Sequence, residues 1–378
     1  MITALLNGQV LFDREIESEL VVLIENGIII AITDADDKRV QSAQQHDLGG
    51  RYLLPGFIDC QVNGGGGVLF NDAPNVDALR RIATTHRRFG TTGLLPTLIS
   101  DDSAVMRAAI DATDAAIAQG VPGILGIHLE GPYLSPERKG VHNPAKFHAP
   151  DSSDIDLVCS LQNGRTLLTL APERVAPEVL HELVARGVIV AAGHTAADYA
   201  QTRAALDAGV RGFTHLFNAM TPLGSREPGV VGAALEDKNS WCGLIVDGHH
   251  VHPATLRIAI AAKAKGKMFL VTDAMPPVGS DDPVFYLDGV AITCRDGICA
   301  TAQGTLAGSA LDMATAVRNT VGMLGIPLAE AARMASTYPA EFLGLQQSHG
   351  RIAAGCRADL VVLNDDLSVH ETWIAGVR

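Results

Sequence analysis

Three apolar runs in this chain end on residue types that bind metals. Gly123-Ile124-Leu125-Gly126-Ile127-His128-Leu129 closes on Glu130 ahead of Gly131-Pro132, Val188-Ile189-Val190-Ala191-Ala192-Gly193 closes on His194, and Gly212-Phe213-Thr214 closes on His215. A carboxylate and two imidazoles are ligands for zinc or iron(II), and three protein ligands with one open position are the usual donor count of a catalytic ion. Each residue alone reads as readily as a capping Glu or a satisfied structural His. Together, on three separate strand ends, they read as a metal site. A fourth run, Phe269-Leu270-Val271-Thr272, ends on Asp273 ahead of Ala274-Met275-Pro276-Pro277. The paired prolines forbid an immediate helix for Asp273 to cap. It is therefore placed as the carboxylate that takes a proton from water and hands it to a leaving amine.

Such residues meet only if the runs that carry them lie side by side. From residue 53 onward, strand-like runs alternate with amphipathic segments, the pattern of repeated βα units. The runs are Leu53 to Cys60, Thr92 to Leu98, Ile124 to Leu129, Thr166 to Ala171, Val188 to Gly193, Gly212 to Thr214, Cys242 to Val246 and Met268 to Thr272. Helices are expected over Val76 to Phe89, Asp102 to Ala118, Pro177 to Arg186, Ala196 to Ala208 and Pro253 to Lys265. Eight units predict an α/β fold, a (β/α)8 barrel, whose chemistry lies at the C-terminal ends of its strands. Gln61, Asn63, Thr97, Glu130, Glu173, His194, His215, Asp247 and Asp273 all fall at that rim.

Both chain ends have a different character. Leu20 to Ile24 and Ile28 to Ile32 flank Glu25-Asn26-Gly27, a hairpin signal, and Asp359 to Leu363 and Val369 to Ile374 flank Asn364-Asp365-Asp366. Neither end buries a core alone, so residues 1–54 and 345–378 are expected to join as one small β domain beside a barrel over residues 55–344. Residues 282–307 read as a β-hairpin excursion, a flap or edge strands of that small domain. A helix is expected to begin near Ser309, with Ser309 as N-cap and Asp312 three residues on. Its start, Thr305-Leu306-Ala307-Gly308, then turns free N–H groups to the rim.

Composition narrows the partners. The 378 residues are 47% hydrophobic and 19% charged, enough for one large core and a smaller one, and the formal net charge of -13 argues against nucleic acid or an anionic membrane. A small anionic substrate remains compatible with a local basic cluster. No apolar run approaches the roughly 20 residues of a membrane span, and the N-terminus lacks a basic start and a cleavage site, so a cytoplasmic protein is expected. Six scattered cysteines form no CxxC pair. Cys294 and Cys299 flank Arg295-Asp296-Gly297 and could face each other across a hairpin, but a reducing compartment argues against a disulfide. Gly64-Gly65-Gly66-Gly67 is followed by no Gly-Lys-Ser/Thr and reads as a tight rim loop, not a nucleotide loop. His128 shares strand parity with Glu130 and is placed inward beneath it. His46, His86, His181, His349 and His370 lie in polar or helical surface contexts and receive no role.

Several ordered strings match one family. Pro55-Gly56-Phe57-Ile58-Asp59, His128-Leu129-Glu130-Gly131-Pro132, Gly140-Val141-His142-Asn143-Pro144, Ala192-Gly193-His194-Thr195, Thr214-His215-Leu216-Phe217-Asn218-Ala219-Met220, Arg226-Glu227-Pro228-Gly229, Asp247-Gly248-His249-His250 and Val271-Thr272-Asp273-Ala274 closely resemble the N-acetylglucosamine-6-phosphate deacetylases of the amidohydrolase superfamily. The match runs from Pro55 to Ala358-Asp359-Leu360. It implies a barrel with a split β-sandwich domain, a homodimer, and hydrolysis of N-acetylglucosamine 6-phosphate to glucosamine 6-phosphate and acetate, in amino-sugar catabolism.

By motif, the resemblance puts Glu130, His194 and His215 on one divalent metal ion per subunit, zinc first, with iron(II) or another divalent ion as alternatives. Asp273 takes the acid/base position and His142 the position against the amide carbonyl. Val141, His142, Asn218, Ala219, Arg226, His250, Leu306, Ala307 and Gly308 match substrate contacts, and the family's dimer allows Arg226 and His250 to serve the neighbouring subunit's phosphate. Spacing alone leaves His249, His250 and His252 equivalent. Many amidohydrolases end the first strand on His-x-His; here Gln61-Val62-Asn63 stands there, which argues for one ion with Gln61 and Asn63 as hydrogen-bonding groups behind it. Two readings compete. One is another amidohydrolase substrate, including the galacto epimer; the other is a non-catalytic barrel used as an interaction scaffold, which should have lost a ligand or the acid/base residue.

Overall fold

Eight strands wind round a closed barrel in the computed structural model, which describes residues 1–378. They are Phe57–Val62, Thr91–Ile99, Gly126–Glu130, Arg165–Leu170, Ile189–Ala192, Gly212–Phe213, Trp241–Leu244 and Met268–Leu270, each parallel to the next. Just beyond the last strand, Asp273 N–H donates to Gln61 O at 3.0 Å and Asn63 N–H to Ala274 O at 2.9 Å, which joins the eighth strand to the first. The fold is a (β/α)8 barrel. Its strands are buried on both faces, as their Val, Ile and Leu content requires. The helices that follow pack their apolar faces on the outside of the sheet, among them Val76–Arg87, Ser103–Ala118 and Pro253–Ala262.

The predicted first strand divides. Tyr52–Pro55 belongs to a different sheet, and Gly56 leads into the barrel strand, because a Cβ there would strike Thr92 Oγ1 at 2.2 Å. Tyr52–Pro55 pairs antiparallel with Leu360–Leu363, so the two ends of the chain share a five-stranded sheet. A four-stranded sheet of Thr3–Leu6, Val21–Glu25, Ile28–Thr33 and Gln44–Asp47 faces it, and Leu5, Val22, Ile29, Leu53, Leu360 and Trp373 meet between the two. The Asn26-Gly27 turn takes positive φ at both residues (51° and 79°), which right-twisted strands demand of a two-residue hairpin.

Residues 282–307 form neither a plain hairpin nor an edge of the terminal sheets. Val284–Leu287, Val290–Arg295, Ile298–Thr301 and Leu306–Ser309 make a four-stranded antiparallel sheet of their own. Phe285, Leu287, Ile292 and Cys299 pack there against Ile99 and Met275 of the barrel rim. Two expectations are corrected here. Leu306–Ser309 is strand, because it completes this sheet, and the helix starts later, at Met313–Leu324, where the Asp312 carboxylate accepts from Thr315 N–H at 2.8 Å as N-cap. Cys294 and Cys299 form a disulfide. The hairpin register sets them directly opposite, with Cα atoms 4.0 Å apart, and this local geometry overrides the inference from compartment. No helix is long and apolar enough to cross a membrane.

Candidate active site

Glu130, His194 and His215 converge at the C-terminal mouth of the barrel. Glu130 Oε1 lies 3.2 Å from His194 Nε2 and 3.0 Å from His215 Nε2, and the two imidazole nitrogens are 3.1 Å apart. All three side chains are buried. Three donor atoms at this spacing can be spanned together by one ion at the ~2.0–2.2 Å of zinc–nitrogen and zinc–oxygen bonds. The donor chemistry also fits. His194 Nδ1 sits 2.9 Å from the Arg138 carbonyl, which only accepts, so Nδ1 carries a proton there and Nε2 is the nitrogen turned into the cluster, the one that can offer a lone pair to an ion. Burial alone would raise the Glu130 carboxyl, but the two imidazoles outweigh it and hold the group well below its usual range as an anion.

The backbone that delivers these side chains is unusual. His194, His215 and Asp273 all adopt positive φ (47°, 32° and 54°), a conformation that costs a non-glycine residue of order 1–3 kcal/mol and persists only where neighbours fix it. After His194, the Glu173 carboxylate accepts from the Thr195 hydroxyl at 2.5 Å and from Ala196 N–H at 2.7 Å. Thr195 N–H also donates to Ala219 O at 3.1 Å, tying this segment to the one after His215.

Asp273 stands beside the cluster across one amide. Gln61 Nε2 donates to Glu130 Oε1 at 3.2 Å and to Asp273 Oδ1 at 3.1 Å, and Asn63 Nδ2 donates to the same Asp273 oxygen at 2.6 Å. Burial first, then the nearby Glu130 carboxylate, push the Asp273 carboxyl up to about 6, a value suited to exchanging a proton near neutrality. His142 closes the other side. Its ring centroid lies 4.4 Å from that of His194, its Nε2 lies 4.0 Å from Glu130 Oε2, and burial drives its pKa down to about 3. His142 is therefore a neutral imidazole at working pH.

A cleft of about 390 Å³ opens above these groups. The carboxylate–imidazole cluster at its floor, with Asp273 and His142 on its walls, can activate water towards a carbonyl.

A family model described as the amidohydrolase family matches residues 52–378. The chain belongs to the amidohydrolase family. It is 45% identical over 372 residues to an N-acetylgalactosamine-6-phosphate deacetylase of Shewanella sp. (strain ANA-3), covering 98% of this chain and 94% of the relative. To an N-acetylglucosamine-6-phosphate deacetylase of Vibrio furnissii it is 36% identical over 373 residues, covering 97% and 92%. The crystal structure of N-acetylglucosamine-6-phosphate deacetylase from Pasteurella multocida superposes with a TM-score of 0.96 at 35% identity, covering 100% of this chain and 99% of that one. The resemblance drawn from the sequence motifs thus holds over the full length of this amidohydrolase.

Most residues singled out in the sequence meet at the cleft. Val141, His142, Asn218, Ala219, His250, Leu306 and Gly308 line it with Glu130, His194, His215 and Asp273. Gln61 and Asn63 lie directly behind. Asp247 selects among the three clustered histidines: its carboxylate takes His250 Nδ1 at 2.6 Å and turns that ring to the cleft, whereas His249 is exposed and His252 caps the next helix at Ala254 N–H. Arg226 and Ala307 do not line the cleft. Arg226 is exposed in its loop. Ala307 alternates with Leu306 and Gly308 along a strand and so faces the apolar cluster behind them.

Other readings also change. Thr97 is not a rim residue but lies one layer down, accepting from Val62 N–H at 2.9 Å and lying 3.2 Å from His128 Nδ1. His128 is buried beneath Glu130, with Nε2 2.8 Å from Thr169 Oγ1. His86, read as a surface residue, is fully buried and holds the carbonyl of Gly64 at 2.9 Å, fixing the glycine-rich loop. Sequence reading passed over Ser100 and Arg138. Ser100 is the first residue past the second strand, where the rim rule would have found it; Arg138 contributes a main-chain carbonyl, for which a sequence carries no signal.

Proposed function

We propose that this amidohydrolase hydrolyses the N-acetyl amide of N-acetylglucosamine 6-phosphate, giving glucosamine 6-phosphate and acetate. The observation that carries the reading is the meeting of Glu130, His194 and His215 at 3.0–3.2 Å with Asp273 one amide away. In this reading the three hold one divalent ion, zinc or alternatively iron(II), for which a set of two nitrogens and one oxygen is suited. When bound, that ion supplies a Lewis acid and acidifies water. Asp273 takes the proton from the attacking water and passes it to the leaving nitrogen, so that the amine departs neutral. Gln61 and Asn63 hold that carboxylate in place. His142 donates from Nε2 to the amide oxygen as negative charge builds on it.

Asn218, Ala219 and the strand carrying Leu306, Ala307 and Gly308 bind the sugar, and His250, fixed by Asp247, meets the phosphate. Arg226 is assigned to the phosphate of a neighbouring subunit in a homodimer, because its exposed guanidinium is a fork suited to phosphate and finds no such partner in its own chain. A cytoplasmic location accompanies a phosphorylated sugar substrate, since that dianion does not cross a bilayer unaided.

A second reading is the galacto epimer of the substrate. The Shewanella relative, at 45% identity, favours it. Acetate release from the two N-acetylhexosamine 6-phosphates, compared as kcat/KM on protein of known metal content, decides between them. Release from neither would end the deacetylase reading.

A further inference from the structure

The strand Thr91–Ile99 delivers Ser100 to the rim, where its hydroxyl is buried between two partners. Ser100 Oγ lies 3.2 Å from the Glu130 main-chain oxygen and 2.9 Å from His142 Nδ1. A hydroxyl has one proton and a carbonyl oxygen only accepts, so the two contacts cannot be made in the same way. If Ser100 donates to the carbonyl, it must accept Nδ1–H from His142, and the neutral imidazole then presents a bare Nε2 to the cleft. If Ser100 donates to Nδ1, the imidazole proton sits on Nε2 and points into the cleft. We propose that Ser100 is a positioning residue whose hydroxyl sets the tautomer and orientation of His142, making it a hydrogen-bond donor to the substrate carbonyl.

One contact favours the second arrangement. Glu130 Oε2 is 4.0 Å from His142 Nε2, so an Nε2 proton faces a carboxylate, whereas a bare lone pair there would face like charge. The space for the hydroxyl is also reserved: Gly131 adopts φ +90°, and a Cβ at that position would lie 2.1 Å from Ser100 Oγ and 3.0 Å from Leu134. The glycine of Glu130-Gly131-Pro132 therefore admits the serine that orients His142. The inference rests on the proposed deacetylation, in which His142 acts as donor.

A double-mutant cycle tests it on the full-length, metal-loaded protein. Ser100→Ala is expected to lower kcat about tenfold to a hundredfold, less than outright loss of an oxyanion donor, with KM within threefold and metal content unchanged. In a His142→Asn background, Ser100→Ala should cost nothing further. Ser100→Thr, which keeps the hydroxyl, should retain most of kcat. A phosphinate analogue of the tetrahedral intermediate should bind Ser100→Ala more weakly by the same factor, with glucosamine 6-phosphate binding unchanged. An equal loss in both backgrounds, or a kcat for Ser100→Ala within twofold of wild type, overturns the assignment of Ser100. A wild-type protein that releases no acetate overturns the deacetylase reading itself, and the role of Ser100 with it.

Discussion

Asn63 donates its side-chain amide to Asp273 at 2.6 Å, and Gln61 reaches the same oxygen at 3.1 Å while also holding Glu130. These amides occupy the positions at which other members of the superfamily carry His-x-His. The amide nitrogens of both side chains are donors turned to carboxylates, so this corner of the site orients Asp273 and Glu130.

One ion per chain is therefore the expected stoichiometry. Elemental analysis of purified protein should give about one equivalent of a divalent metal, and prolonged chelation should abolish acetate release until zinc or iron(II) is restored. His215→Ala should fail to retain the ion through dialysis. Two tightly held equivalents per chain would contradict the role given to Gln61 and Asn63.

Replacing Asp273 separates binding from chemistry. Asp273→Asn should keep the ion, because Asp273 stands outside the three-donor cluster, yet lose about 10²–10⁴-fold in kcat. Metal content and single-turnover acetate release measured on one preparation check both halves, and a variant with normal turnover removes the acid/base role.

Arg226→Ala should raise KM for the phosphorylated sugar with little change in kcat, since phosphate binding is distant from the amide being cleaved. If Arg226 serves the neighbouring subunit, Arg226→Ala and Asp273→Asn chains remixed into dimers and assayed at substrate far below the wild-type KM should recover up to about a quarter of wild-type activity, because half of the randomly formed dimers then hold one intact site of two. Absence of recovery after verified subunit exchange would place Arg226 with its own chain.

Asp59 gives the fold a pH signature. It is fully buried, accepts from the Thr272 hydroxyl at 2.5 Å, and burial pushes its carboxyl up from 3.8 to about 7. Between those values the folded chain holds a proton that the unfolded chain releases, so this group lowers stability as pH rises from about 4 to 7 and its penalty is complete above that. Asp59→Asn removes the slope. The Tm deficit of the variant relative to wild type should narrow from pH 5 to pH 8, and a constant deficit would show that Asp59 titrates normally.

Much of the site was legible in the chain because barrel chemistry is tied to one end of each strand. Glu130, His194, His215 and Asp273 follow apolar runs, and eight such runs admit few arrangements other than a barrel. Local rules also served the Asn26-Gly27 hairpin. They failed at Ser309, where an N-cap residue and a following Asp suited a helix, but pairing with Ile298–Thr301 drew the segment into a sheet. Strand pairing is non-local, so no window around Ser309 contains it.

The sequence by itself determined the donor types, the barrel that gathers them and the amides Gln61 and Asn63 at the end of the first strand, because periodicity and residue chemistry are properties of the chain. Tertiary structure alone decided which of His249, His250 and His252 faces the cleft, that the segment ending on Ser309 joins a sheet, and that one serine hydroxyl lies between the Glu130 carbonyl and His142. Those outcomes depend on distances between residues far apart in the chain or on the rotation of a single side chain, and both are fixed only when the surrounding elements have packed.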